Sequence, residues 1–371
     1  MQESVKKYKN VVCLAIPSLI AIIIAEIVNI QVFISGPLAK KGEVMLFLWI
    51  TLQMIPGFIF GYLSDLNFRK ATLIVCQLLG LAGGLILWIF GFELWVLVLI
   101  ALTFNPLPVA RAAFLDHFPQ HSTVKLVALT FVAQYLPWAF YAYIAKLHYQ
   151  TTVAFVLYIL ALNIILTVFL FKKDNKEYKT EDTKHKIELF KNNSRLIRTL
   201  LAFTFAEAAF YLLWAYLENN PTGEVGLSTI SLGTTIGVCI AMLYTRLPHI
   251  SIITLFYSIG AVSALLAFYR CTSSTISCDD ELLASMSYYC IIGGLYLPFV
   301  TDAVIKMLGS KRRALGSAMI ELGDTIAVFF APILNIFFHQ NSTNILLTIS
   351  IFFLIAALYQ KSTEKHNLIH L

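Results

Sequence analysis

Residues 172–195 read KKDNKEYKTEDTKHKIELFKNNSR, the longest polar tract in the chain. High charge without apolar periodicity marks a solvated linker, with room for a short surface helix near Ile187 to Phe190. What flanks the tract decides the fold. Six long apolar stretches precede it, at roughly 11–36, 44–64, 71–92, 94–115, 124–147 and 150–171. Six more follow, at roughly 196–218, 226–246, 250–270, 282–308, 314–338 and 342–360. A helix needs about 20 mostly apolar residues to cross a bilayer. These stretches are too long, and too rich in Leu, Ile, Phe and Ala, for barrel strands of about ten alternating residues. The expected fold is all-α: a polytopic membrane protein with 12 transmembrane helices arranged as two six-helix pseudo-repeats. The expected domains are an N-terminal bundle at 1–171, a cytoplasmic linker at 172–195 and a C-terminal bundle at 196–371.

Composition agrees. Of 371 residues 58% are hydrophobic and only 13% charged, with a mean hydropathy of +0.77. A water-soluble chain of this length would have little polar surface left to meet solvent. Lys6, Lys7 and Lys9 precede an apolar run with no small-residue cleavage motif after it, so that run reads as the first span and not as a removable signal. With the N-terminus inside, the cytoplasmic segments hold 22 of the 27 Lys and Arg residues. The outer segments hold Lys40, Lys41, Lys146 and Arg270, and Arg111 lies within a span. This bias puts both termini in the cytoplasm. It also accounts for the net charge of +6 without a nucleic-acid partner. Compact loops point to a plasma membrane, expected to be a bacterial inner membrane, and a monomer is expected. Cys271 and Cys278 fall in one outer loop, where a disulfide and two free thiols are equally open readings. No Cys/His grouping has metal-ligand spacing, and neither metal nor cofactor is expected.

The halves carry a faint repeat at an offset of 190 residues: Pro108 aligns with Pro298, Ala128 with Ala318, and Gln134 with Asp324. Duplicated halves with a site between them are the plan of alternating-access transporters. Between spans two and three the chain reads Gly61-Tyr62-Leu63-Ser64-Asp65-Leu66-Asn67-Phe68-Arg69-Lys70. This decapeptide resembles the G-x-L-a-D-r-x-G-r-k loop of the major facilitator superfamily, at that loop's place after span two. Gly61, Leu63, Asp65, Arg69 and Lys70 match; Leu66 and Phe68 depart, replacing a basic residue and the second glycine. The resemblance implies a cytoplasmic gate in which Asp65 closes the inner helix ends, while Arg69 pairs with an acid at the inner end of span four, here Asp116.

Six ionisable residues lie within spans: Glu26, Arg111, Glu207, Asp302, Glu321 and Asp324. Each would cost about 2.5–3.5 kcal/mol facing lipid, so together they must face protein or a wet cavity. They fall in spans one, four, seven, ten and eleven, and none in three, six, nine or twelve. By the resemblance, the first set lines or flanks the central cavity and the second stands outside it. Glu207 and Asp324 both sit about 15 Å into their helices at 1.5 Å per residue, near mid-membrane. Glu321 and Asp324 are three apart and share a helix face, which favours a shared proton. Glu26 and Asn29 share a face of span one and suit proton coupling or a substrate amine. Arg111 is open to three readings: holding a substrate carboxylate, snorkelling inward, or pairing with Glu26 or Asp116. Asp302 and Lys306, four apart, suit an intrahelical ion pair, and Gln134 adds a polar group to span five. Pro17, Pro56, Pro106, Pro108, Pro137, Pro298 and Pro332 are expected to kink their helices. Around Pro137 the segment AQYLPWAF lacks the glycine-rich pattern of drug antiporters in that superfamily.

These readings converge on a secondary active transporter for a small organic solute, proton-coupled and acting by alternating access, with the lipid bilayer as its surroundings. The excess of acids over Arg111 points to a cationic or zwitterionic solute. The rivals are a membrane-embedded nutrient sensor and a membrane transferase, but His117 and His121 beside Asp116 meet no second catalytic element.

Overall fold

The computed structural model describes residues 2–35, 43–118, 123–144, 146–171, 194–218, 223–243, 249–273, 277–309, 312–337 and 341–368. Among them every regular element is helical. Most of the expected linker, including the segment Ile187 to Phe190, lies outside the described residues. The first six spans are α1 (Gln2–Ser35), α2 (Glu43–Leu63), α3 (Arg69–Phe90), α4 and α5 together (Leu94–Thr103 and Leu107–Asp116), α6 with the short α7 (Thr123–Ala139 and Tyr141–Ile144), and α8 (Tyr149–Leu170). The second six are α9 (Ser194–Glu218), α10 (Gly223–Ala241), α11 (His249–Ser273), α12 (Cys278–Leu308), α13 (Arg313–Phe337) and α14 (Ser342–Leu368).

Burial sorts these spans as the charges did. In spans four and ten 78% of the spanning residues are buried, and in one and seven 61%, against 50% in twelve, 39% in nine and 28% in three and six. Spans without internal charge spend their surface on lipid, where exposed Leu, Ile and Phe cost nothing. Spans with internal charge are enclosed by protein.

Two features depart from plain helices. Span four was expected to be continuous with a kink; it is broken instead. Pro106 and Pro108 lack the N–H groups that the carbonyls of Leu102 and Phe104 would need, so the helix stops at Thr103 and restarts at Leu107. Asn105 repairs the gap. Its Oδ1 accepts from the Leu107 N–H at 3.1 Å, and its Nδ2 donates to the Gln53 carbonyl at 3.0 Å. The decapeptide between spans two and three is also no open loop: Ser64–Phe68 forms one π-helical turn that joins α2 directly to α3. Such turns are uncommon and recur at functional positions.

The chain divides into two compact units. The first comprises Met1–Thr180 with Leu308–Met319, the second Glu181–Met307 with Ile320–Leu371. The segment 308–319, which the sequence assigns to the C-terminal bundle, therefore groups with the first unit. In that unit α8 packs against α1 and α3, and α1 also contacts α5 and α6, around a core that includes Ile22, Leu73, Val96 and Ile100. In the second unit α14 packs along α9 and α11. There α10 and α12 meet backbone to backbone. A Cβ on Gly237 would run into the Ile291 carbonyl, and one on Gly294 into the Thr234 carbonyl. Small residues are what allow helices to approach this closely in a membrane.

Candidate functional site

The first unit holds a polar cluster built from spans one, two, four and five. Glu26, 4% exposed, accepts from Trp138 Nε1 at 2.8 Å and from Asn29 Nδ2 at 3.2 Å, and from the Gln134 side chain as well. Asn29 Oδ1 in turn accepts from Trp49 Nε1 at 3.2 Å and Gln53 Nε2 at 2.9 Å. Arg111 is 1% exposed. Its Nη2 donates to Gln134 Oε1 at 2.7 Å, its Nε to Thr130 Oγ1 at 3.2 Å and its Nη1 to Ser317 Oγ at 2.6 Å. The guanidinium also lies 4.5 Å from the centre of the Phe131 ring. Gln134 hydrogen-bonds both Glu26 and Arg111, and Arg111 is enclosed by protein at that place. Asp116 belongs to a different group of charges.

The second unit holds an acidic cluster. Glu207, 2% exposed, accepts from the Tyr296 hydroxyl at 2.9 Å, and the Tyr257 hydroxyl lies within reach of its charge. The charge acting on Glu207 is that of Asp324. Asp324 and Glu321 are both half-buried, and the Glu321 carbonyl accepts from Thr325 Oγ1 at 2.8 Å. Asp302 forms the intrahelical ion pair anticipated from its spacing, Oδ2 to Lys306 Nζ at 2.6 Å. It is fully buried, while the Lys306 side chain is half-exposed.

The motif residues meet the inner end of span eleven. Asp65 accepts from the backbone N–H of Ala314 at 3.2 Å and of Leu315 at 2.8 Å. These are among the first N–H groups of α13, which have no partner within their own helix. A carboxylate supplied from another helix thus caps the positive end of α13. Gly61 makes room for this contact, since a Cβ there would lie 3.3 Å from the Ala314 carbonyl oxygen. Arg69 pairs with Asp65 at 2.7 Å and with Asp116 at 2.8 Å, and Asp116 also pairs with Arg313 at 2.9 Å. Burial raises the Asp65 carboxyl above the ordinary aspartate range, and Arg69 with the two backbone N–H groups pulls it back. Lys70 was grouped with the gate but sits elsewhere. Its Nζ donates to the carbonyls of Val168 at 2.7 Å and Phe171 at 2.8 Å, closing the C-terminal end of α8 where helix carbonyls lack partners.

Outside the spans, Cys271 and Cys278 form a disulfide, which resolves the choice left open by sequence. Next to it, Asp279 accepts from the Tyr216 hydroxyl at 2.7 Å, and hydrogen bonds from Ser342 and then Tyr216 hold its carboxyl below the usual range.

Sequence reasoning missed Trp49, Gln53, Thr130, Trp138, Tyr296, Arg313 and Ser317. A signal was available for three of them. Trp49 and Gln53 are four apart on span two, and Trp138 lies four residues after Gln134 on span five, so each pair offers hydrogen-bonding groups from one helix face.

No sequence-family model matches the chain, and no curated protein matches its sequence. In its fold the chain is similar to solved structures of major facilitator superfamily transporters. It is similar to the E. coli fucose:proton symporter FucP, with 14% identity, a TM-score of 0.70, and coverage of 95% of this chain and 98% of that one. A structure of FucP in the outward conformation gives a TM-score of 0.75 at 14% identity, covering 95% and 98%. The human organic anion transporter MFSD10 (TETRAN) gives 0.72 at 11% identity, covering 95% and 99%.

Proposed function

We propose that this protein is a proton-coupled secondary active transporter that carries a small organic solute by alternating access of two six-helix halves, 1–171 and 196–371. The plasma membrane, with both termini cytoplasmic, is its location in this reading, supported by the 22 of 27 basic residues on the inner side. The observation that carries the coupling is the contrast between the two clusters. In the first, the acid and the guanidinium are each enclosed by amide, indole or hydroxyl partners. In the second, Glu207 meets a tyrosine hydroxyl and a second acid, and no basic side chain pairs with it among the described residues. Two carboxylates near enough to feel each other, one of them buried, share a proton more readily than they carry two charges. Such a pair can take up a proton from one side and release it to the other as its access to water changes. The latch of Asp65, Arg69 and Asp116 supports the switching step: its contacts are hydrogen bonds and ion pairs at a helix end, which can break and re-form without repacking a core.

The test is reconstitution in liposomes under an imposed pH gradient. Glu207→Gln is expected to abolish accumulation against a gradient while leaving solute exchange between equal pools. Full proton-driven accumulation by both Glu207→Gln and Asp324→Asn would overturn the coupling assignment. The two named neighbours carry fucose with protons and organic anions, so their substrates do not agree on a solute.

A further inference from the structure

The cluster on the first unit identifies the class of solute, on the reading that the protein is a transporter. Its two charges are not available to a ligand. All three nitrogens of Arg111 are engaged by protein at 2.6–3.2 Å, at 1% exposure. Glu26 is ringed by Trp138, Asn29 and Gln134 at 4% exposure. A solute carboxylate could reach Arg111, or a solute amine Glu26, only by breaking these bonds, and a buried polar group stripped of its partners is costly. The expectation of a cationic or zwitterionic solute rests on the excess of acids over Arg111; in this cluster the acid and the base are both enclosed.

What remains half-exposed around the pair is neutral. Asn29, Gln53, Gln134 and Trp138 each keep part of their surface open. Gln53 uses its Nε2 on Asn29, and its Oε1 makes no protein hydrogen bond among the described residues. Asn29 and Gln134 each have a second amide N–H beyond the one given to Glu26. The Trp138 ring lies parallel to Tyr141, with an angle of 3° and a centroid distance of 6.1 Å. The edge of the cluster thus alternates neutral donors and acceptors beside a flat aromatic surface. Few, well-placed polar groups next to aromatic rings are how sites orient small polar solutes. We infer that the cluster around Glu26 and Arg111 binds an uncharged, polyhydroxylated solute through its half-exposed amides, and that neither charged group touches the ligand.

Binding to the purified protein tests this without requiring transport. Melting-temperature shifts and calorimetry would be measured against neutral sugars and polyols (glucose, fucose, mannitol, inositol), amines (putrescine, choline), carboxylates (lactate, succinate) and amino acids. Stabilisation confined to the sugar and polyol group is expected, with an affinity that changes less than twofold between about 0.05 and 0.5 M salt, because no ligand charge is there to be screened. Stabilisation by a charged group, or by none of the four, would overturn the inference. Binding of a neutral solute without proton-driven flux would sink the transport reading and leave this one standing; proton-driven flux of a charged solute would do the reverse.

Discussion

At the residue scale, the enclosure of Arg111 sets the logic of the first unit. Its three nitrogens hold Thr130, Ser317 and Gln134, and Arg111→Ala would take the donor from all three. The substitution is expected to destabilise the protein by about 1–3 kcal/mol. Unfolding midpoints of the purified variant in detergent check this, and an unchanged midpoint would show that these bonds do not hold the cluster together. Asp279 gives a pH signature at the outer surface. Its folded carboxyl is held below the usual range, so its contribution to stability is present above the ordinary aspartate pKa and is lost as pH falls through the lower, folded value. A melting series on Asp279→Asn should show a deficit against the parent that is flat through neutral pH and closes only under strong acid. Residues that carry charge through the membrane were legible because the bilayer makes them rare. Their partners Trp49, Gln53 and Trp138 were not, since an amide or indole in a span costs far less than an ion and so stands out less against packing residues.

At the element scale, the bundle is organised by where helices break and where they touch. Span four breaks because two prolines remove adjacent backbone donors, and Asn105 ties the gap to span two. A sequence shows that Pro106 and Pro108 disturb the helix. Whether the result is a kink or a break depends on a partner such as the Gln53 carbonyl, reached only in the folded bundle. The crossing of α10 and α12 makes a sharper demand. Gly294→Val would place side-chain atoms where the Thr234 carbonyl stands, and the helices must part or the fold must lose stability. A loss of at least about 1–3 kcal/mol is expected, read as a lowered melting temperature; an unchanged value would refute the backbone contact. The trans cap on α13 was half legible. The decapeptide announces an acid at the inner ends of the helices, but its acceptor is a pair of backbone N–H groups, which no side-chain pattern advertises. Lys70 shows the reverse case: it sits in the motif by sequence, yet its ammonium closes the end of span six.

At the scale of the whole molecule, the distribution of basic residues yields a topology that labelling can check. Single cysteines introduced in the linker, such as Thr180→Cys, are expected to react with a membrane-impermeant maleimide only after the membrane is opened. One introduced beside the disulfide, such as Thr272→Cys, should react in intact cells, and the opposite pattern would invert the orientation.

Sequence by itself determined the number of spans and the few helices that carry charge. Both follow from one-dimensional quantities: apolar length against bilayer thickness, and the cost of an ion in hydrocarbon. Tertiary structure alone decided which groups partner each buried charge and that Asp65 caps a distant helix. Pairing depends on distances between residues far apart in the chain. Arg111 and Ser317, for instance, lie 206 positions apart yet meet at 2.6 Å, and only the folded bundle brings such groups together.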